Sequence, residues 1–134
     1  MAKVISIDTN LVVRFLLQDN DAEFAIASRV IREEEIYITT TVMLECEWVL
    51  RRVYKHSSAS IMDAFDQLRG LANVRLAEPD IVERAIGWRR SGLDFADALH
   101  LALASKADSL GTFDPDFVKS AARVSPHIPV RSPA

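Results

Sequence analysis

One cysteine, Cys46, in 134 residues excludes a disulfide framework and any multi-cysteine zinc site, and sets a reducing compartment as the expectation. Glycine and proline are few, four and five respectively, and no internal repeat, linker or low-complexity segment interrupts the chain. No Gly-rich phosphate loop stands out. No apolar run approaches the roughly 20 residues that span a bilayer, and no cationic segment leads into an apolar stretch at the start. Neither secretion nor membrane insertion is expected, and cytoplasm is the default. The formal net charge of -3 lacks the global basic signature of many nucleic-acid binders. His56, His100 and His127 are too scattered for a histidine-based metal site.

What remains is ample apolar material. With 49% hydrophobic and 26% charged residues, the chain can bury a core by itself. A single domain over residues 1–134 is expected, its tail extended from about residue 125. Periodicity sets the order of elements. A strand runs Lys3 to Ile7 and a short helix Leu11 to Leu17, with a break at Asp19-Asn20-Asp21. A helix follows from about Ala22 to Glu34, with Phe24, Ala27, Val30 and Ile31 on one stripe. Ile36 to Ile38 reads as a strand, and Thr40 or Thr41 caps a helix through Tyr54. Ser60 with Asp63 resembles a capping box. A strand at Val74–Leu76 precedes a helix that Pro79 opens and that ends near Gly92. A helix from Phe95 to Lys106, a strand from Ser109 to Phe113 and a brief helix after Pro115 complete the chain. Strands separated by helices imply crossovers, hence a mostly parallel central sheet of four or five strands in an α/β/α sandwich.

Four acids stand where apolar stretches begin or end: Asp8, Glu45, Asp97 and Asp114. Asp8 and Asp114 follow strands, and Glu45 and Asp97 fall in the opening turns of helices. In a parallel α/β fold the strand ends and those helix starts share one edge, where ligands bind. Carboxylates gathered there raise one another's pKa or capture a hard cation. Each acid also has an ordinary reading. Asp97 with Asp94 fits a helix start, and Asp8-Thr9-Asn10 and Asp114-Pro115-Asp116 have turn chemistry. Glu45, flanked by Val42, Trp48 and Val49 at helical spacing, is expected to point toward the packed face. Glu47 is expected to be a solvated partner of Arg51.

The same residues resemble the PIN-domain family, and within it the VapC-type toxin ribonucleases of toxin-antitoxin pairs. The opening strand with Asp8-Thr9-Asn10 is similar to the first motif, and Leu44–Leu50 to the second. Leu93–Leu99 is similar to the third, and Thr112–Asp114 with Asp116-Phe117 to the last. The resemblance implies an acidic set of Asp8, Glu45, Asp97 and Asp114, with Asp8 and Asp97 as direct metal ligands and Asp94 and Asp116 as auxiliaries. It also implies a homodimer and a cognate VapB-like antitoxin, for which a groove around Val12, Val13, Leu16 and Ile26 is one candidate. His100 departs from the family's usual branched apolar residue.

An all-oxygen donor set suits Mg²⁺ or Mn²⁺, and such an ion can activate water against a phosphodiester. The expected activity is metal-dependent endoribonuclease cleavage, with local cations such as Arg14, Arg51, Arg52, Lys55, Arg89 and Arg90 following the substrate backbone. Thr9, Asn10 and Thr112 are expected to satisfy local turns. Cys46, Trp48 and Trp88 read as packing residues. Two other readings remain: a phosphatase with Asp8 as nucleophile, and a noncatalytic RNA- or protein-binding module.

Overall fold

The computed structural model describes residues 3–18, 22–124 and 126–133. The expected break at Asp19-Asn20-Asp21 and the first residue of the tail, Ser125, lie outside them. The chain divides into two compact units, Met1–Pro79 and Asp80–Ala134.

In the first unit, strands β1 (Val4–Ser6), β2 (Glu35–Ile38) and β3 (Val74–Leu76) form a parallel sheet in the order β1-β2-β3. Helices α1 (Thr9–Leu17) and α2 (Ala22–Glu33) connect β1 to β2, and α3 (Thr40–Arg52) and α4 (Ser58–Arg69) connect β2 to β3. Parallel neighbours require such crossovers. Ile36 pairs in register with Ile5 on one side and Val74 on the other. Ile36, Ile38 and Leu76 are buried with Met43, Phe65 and Leu68 from the helices. Asn73 adds a tie that periodicity does not reveal. Its amide donates to the carbonyls of Ile31 and Glu34, acceptors that the end of α2 leaves without helical partners.

Two caps differ from expectation. Thr39, not Thr40 or Thr41, caps α3: its backbone is extended at φ -77° and ψ 158°, and its hydroxyl accepts from the Val42 amide at 3.4 Å. Thr40 is already helical and donates to Glu78 at 2.8 Å. Likewise Ser57 caps α4, accepting from the Ser60 amide at 3.1 Å, so Ser60 sits where the capping box has its reciprocal partner. A hydroxyl caps only from the last extended residue, and sequence alone does not fix which residue that is.

The second unit holds α5 (Pro79–Arg90, whose first residue belongs to the other unit), α6 (Phe95–Leu103), β4 (Leu110–Gly111), α7 (Pro115–Arg123) and β5 (Val130–Arg131). Gly92, at φ +111°, takes the left-handed turn after α5 that residues with a side chain resist. The expected strand from Ser109 to Phe113 shortens to two residues, because Thr112 to Asp114 form a side-chain-closed turn. β5 runs parallel to β4, Leu110 opposite Val130, so the extended tail becomes a strand. The α/β class with parallel strands is as expected. Among the described residues, five strands are hydrogen-bonded as three and two. Among the described residues, no helix is long and apolar enough to cross a membrane.

Trp88 stacks on His127, ring centres 5.8 Å apart and 5° from parallel, and Arg84 lies 6.0 Å from the indole centre. Partial desolvation, and then the Arg84 charge, hold the His127 imidazole below its ordinary value of 6.5. A pKa lower in the folded state favours the neutral ring. Its contribution to stability is therefore complete above the unfolded value and lost as pH falls through the lowered one. An NMR titration is expected to place the His127 midpoint below 6.5 and to move it upward in Arg84→Gln.

Candidate active site

Asp8 lies just past β1, where its extended backbone makes it the N-cap of α1. Its Oδ1 accepts from the Leu11 amide at 3.1 Å. Glu45 lies on α3, which leaves the carboxyl end of the neighbouring parallel strand β2. It is the sixth residue of that helix and so stands in its second turn, not its first. Thr9 joins the two helices: its hydroxyl donates to Glu45 Oε1 at 3.0 Å. The carboxyl edge of this sheet thus carries both acids. Thr9 does more than satisfy its own turn, a role that sequence reading missed because its partner is 36 residues away. Thr9→Val is expected to cost about 0.5–1.5 kcal/mol, the net worth of one such hydrogen bond. Thermal denaturation against Thr9→Ser checks it, since serine keeps the donor.

The orientation of α3 corrects two expectations. Its buried stripe is Met43, Cys46, Glu47 and Leu50, which turns Glu45 to solvent and Glu47 inward. Glu47 is 2% exposed and accepts from Arg51 Nε at 2.8 Å and Nη2 at 3.4 Å. The pairing is as expected; the burial is the reverse. Met43, Cys46, Glu47 and Leu50 share one stripe at 3-4 spacing, and Val42, Glu45 and Val49 share another, so spacing alone did not choose between them. Trp48 is 52% exposed and so is not a core residue.

Cys46 is inert as a nucleophile. Burial, then the charges of Glu45 and Asp8, push its thiol up to about 12, far from the range in which a thiolate forms at neutral pH. Its Sγ lies 3.8 Å from the Thr9 carbonyl oxygen, packing α3 against α1.

The second unit gathers the other acids. Asp94 is the N-cap of α6 and accepts from the Asp97 amide at 3.3 Å. Asp114 is the N-cap of α7 and accepts from the Asp116 amide at 2.9 Å, while its own amide donates to Thr112 Oγ1 at 3.0 Å. Thr112 satisfies a local turn, as expected. Asp97, half-buried in the first turn of α6, has its carboxyl raised above the usual range. Burial is the first cause, then the charges of Asp94 and Asp114; His100 acts in the opposite direction. Such crowding is what a bound cation relieves. Capping takes one oxygen each of Asp8, Asp94 and Asp114, and a carboxylate has further lone pairs to offer.

The first unit thus carries Asp8 and Glu45, and the second Asp94, Asp97 and Asp114. Among the described residues, no three histidine, cysteine, aspartate or glutamate side chains form a ready cage for a metal. Magnesium rarely has such a cage. It keeps several waters and binds through one or two carboxylates plus substrate phosphate. The oxygen-only donors present here suit that mode.

Two cavities flank the start of α1. One, of about 330 Å³, opens between α1 and α2 and is lined in part by Asp8, Arg14, Glu23 and Ile26. The other, of about 420 Å³, is lined by Thr9, Val13, Val49 and Tyr54 together with Asp8, Asn10 and Arg14. Of the residues named for an antitoxin groove, Val12 and Val13 are core, whereas Ile26 is 53% exposed.

A family model described as PIN domain matches residues 5–122. No curated protein matches the chain. Among solved structures, it is similar to the crystal structure of Mycobacterium tuberculosis VapC20, a Sarcin-Ricin loop cleaving toxin. The identity is 24% over 90% of this chain and 95% of that one, with a TM-score of 0.43.

Proposed function

This chain belongs to the PIN domain family, and on that premise we propose that it is a metal-dependent endoribonuclease, the toxin of a VapC-type toxin-antitoxin pair. The observation that carries this reading is that the family match over residues 5–122 includes all four expected acids, Asp8, Glu45, Asp97 and Asp114. In this reading the chain is a single domain over residues 1–134, which a family match over residues 5–122 supports. Asp8 and Asp97 would hold Mg²⁺ or Mn²⁺. When bound, such an ion supplies a nucleophilic water and neutralises charge on the phosphate.

The side chains around it have their own tasks in this reading. Thr9 donates to Glu45 through the 3.0 Å hydrogen bond, which in this reading positions that carboxylate to orient water or accept its proton. Burial, and then Asp94 and Asp114, keep negative charge on Asp97 costly until a cation arrives. Cys46 packs the helix beneath Glu45 and Thr9 and stays out of the chemistry. A VapB-like antitoxin, a homodimer and the cytoplasm complete the proposal, which includes no membrane role.

The test is incubation of the purified protein with total RNA and with matched DNA, in Mg²⁺, Mn²⁺ or EDTA, followed by mapping of new ends. Discrete RNA ends that need the metal are the expected result. An aspartyl-phosphate on Asp8 would indicate the phosphatase alternative. Metal stabilisation without turnover on any RNA would indicate a noncatalytic module.

A further inference from the structure

The cavity between α1 and α3 is a composite surface. Asp8, Thr9 and Asn10 make one end polar, Val13 and Val49 make an apolar wall, and Arg14 and Tyr54 complete it. Arg14 donates to the Tyr54 hydroxyl at 3.0 Å, while its guanidinium carbon lies 5.9 Å from the ring centre. That places the cation at the hydroxyl edge, at the outer limit of ~6 Å for contact with an aromatic face. Tyr54 is 36% exposed and lines the cavity, so it is within reach of a ligand there. Glu23, 4.0 Å away, also helps hold Arg14. The guanidinium has five donors, enough to keep these partners and accept an anion besides.

We propose that this cavity holds one nucleotide of single-stranded RNA next to the bond that is cleaved, its base stacked on Tyr54 against Val13 and Val49 and its phosphate met by Arg14. The proposal rests on the ribonuclease reading above and names a substrate subsite for it. A volume of about 420 Å³ falls within the range of small-molecule pockets. An aromatic face beside a fixed cation is the combination that single-stranded nucleic acids require, because every base has a π-face and every linkage a charge. Continuity comes from Asp8 and Thr9, which line this cavity and belong to the Asp8, Thr9 and Glu45 group. Duplex RNA, whose bases are already stacked on one another, does not fit.

The test measures binding of a fluorescein-labelled single-stranded oligoribonucleotide by anisotropy, in EDTA so that no cleavage intervenes. Tyr54→Ala is expected to weaken binding on the order of 5- to 150-fold, and Tyr54→Phe, which keeps the ring, by less than about threefold. Val49→Trp, which fills the cavity and leaves Tyr54 in place, is expected to weaken it as Tyr54→Ala does; it also covers the case in which Tyr54→Ala fails to fold. Unlabelled single-stranded RNA is expected to compete, and duplex RNA of the same sequence to compete poorly. Wild-type binding by folded Val49→Trp, or equal losses in Tyr54→Phe and Tyr54→Ala, overturns the subsite. If those variants also cleave normally while Asp8→Asn does not, the ribonuclease reading stands without it. Binding that follows the expected pattern with no cleavage of any RNA sinks the ribonuclease reading, and with it the placement beside a cleaved bond, and leaves the cavity as a site for a single-stranded nucleotide only.

Discussion

Asp8→Asn and Asp97→Asn are each expected to reduce metal-dependent RNA cleavage on the order of 100- to 1000-fold, the scale on which removal of one preorganised electrostatic contact acts. The fold is expected to survive both changes, for different reasons. Asp8 caps α1 through one carboxylate oxygen. Asparagine caps as well as aspartate, so Asp8→Asn should melt within a few degrees of the wild type. Asp97 is no cap: the fold raises its carboxyl by burying it and by setting Asp94 and Asp114 near it. Its charge is thus a cost to the metal-free protein, and Asp97→Asn is expected to melt at the same temperature or higher in EDTA. Saturating Mg²⁺ should stabilise the wild type, by about 2.7 kcal/mol at 100 times its Kd, and each variant less. Cleavage at the wild-type rate by a folded Asp8→Asn or Asp97→Asn would defeat the proposed mechanism. A lowered melting temperature for Asp97→Asn would contradict the crowding of its carboxylate.

Loss of Arg51 is expected to have the largest effect on stability. Glu47 is 2% exposed, and its carboxylate is held by Arg51, whose side chain is 31% exposed. Arg51→Ala leaves a buried carboxylate without that partner, at a cost of about 3 kcal/mol, the low end for breaking a buried pair because Arg51 is partly solvated. Urea denaturation of Arg51→Ala should therefore shift the midpoint strongly at an unchanged slope. The double replacement Glu47→Met with Arg51→Met removes both charges and keeps apolar volume. It is expected to recover most of the loss. If the double variant is no more stable than the single one, the pair matters through packing and not charge.

The second prediction depends on how α3 is rotated, and here sequence reading was only half sufficient. The length of that helix, its Glu47–Arg51 pairing and the position of Glu45 in the motif were all legible. Which of Glu45 and Glu47 faces inward was not, because a helix with acids two residues apart amid apolar neighbours satisfies two burial stripes about equally well. Contact with α1 decided it: Cys46 lies against the Thr9 carbonyl, so Glu47 turns inward and Glu45 turns to Thr9. The caps of α3 and α4 show the same limit on a smaller scale. Several adjacent hydroxyls can cap a helix, and the residue at which the strand or loop ends selects one.

Sequence by itself determined the order of strands and helices, the parallel α/β class and the family, because these follow from periodicity, capping chemistry and short motifs that act over a few residues. It also marked Asp8, Glu45, Asp97 and Asp114 as candidates. Tertiary structure alone decided that Thr9 holds Glu45, that Arg14 meets Tyr54 across 40 residues and that Asp97 is charged at a cost. Each of these depends on through-space distance and solvent exclusion, quantities that exist only after segments far apart in the chain have packed.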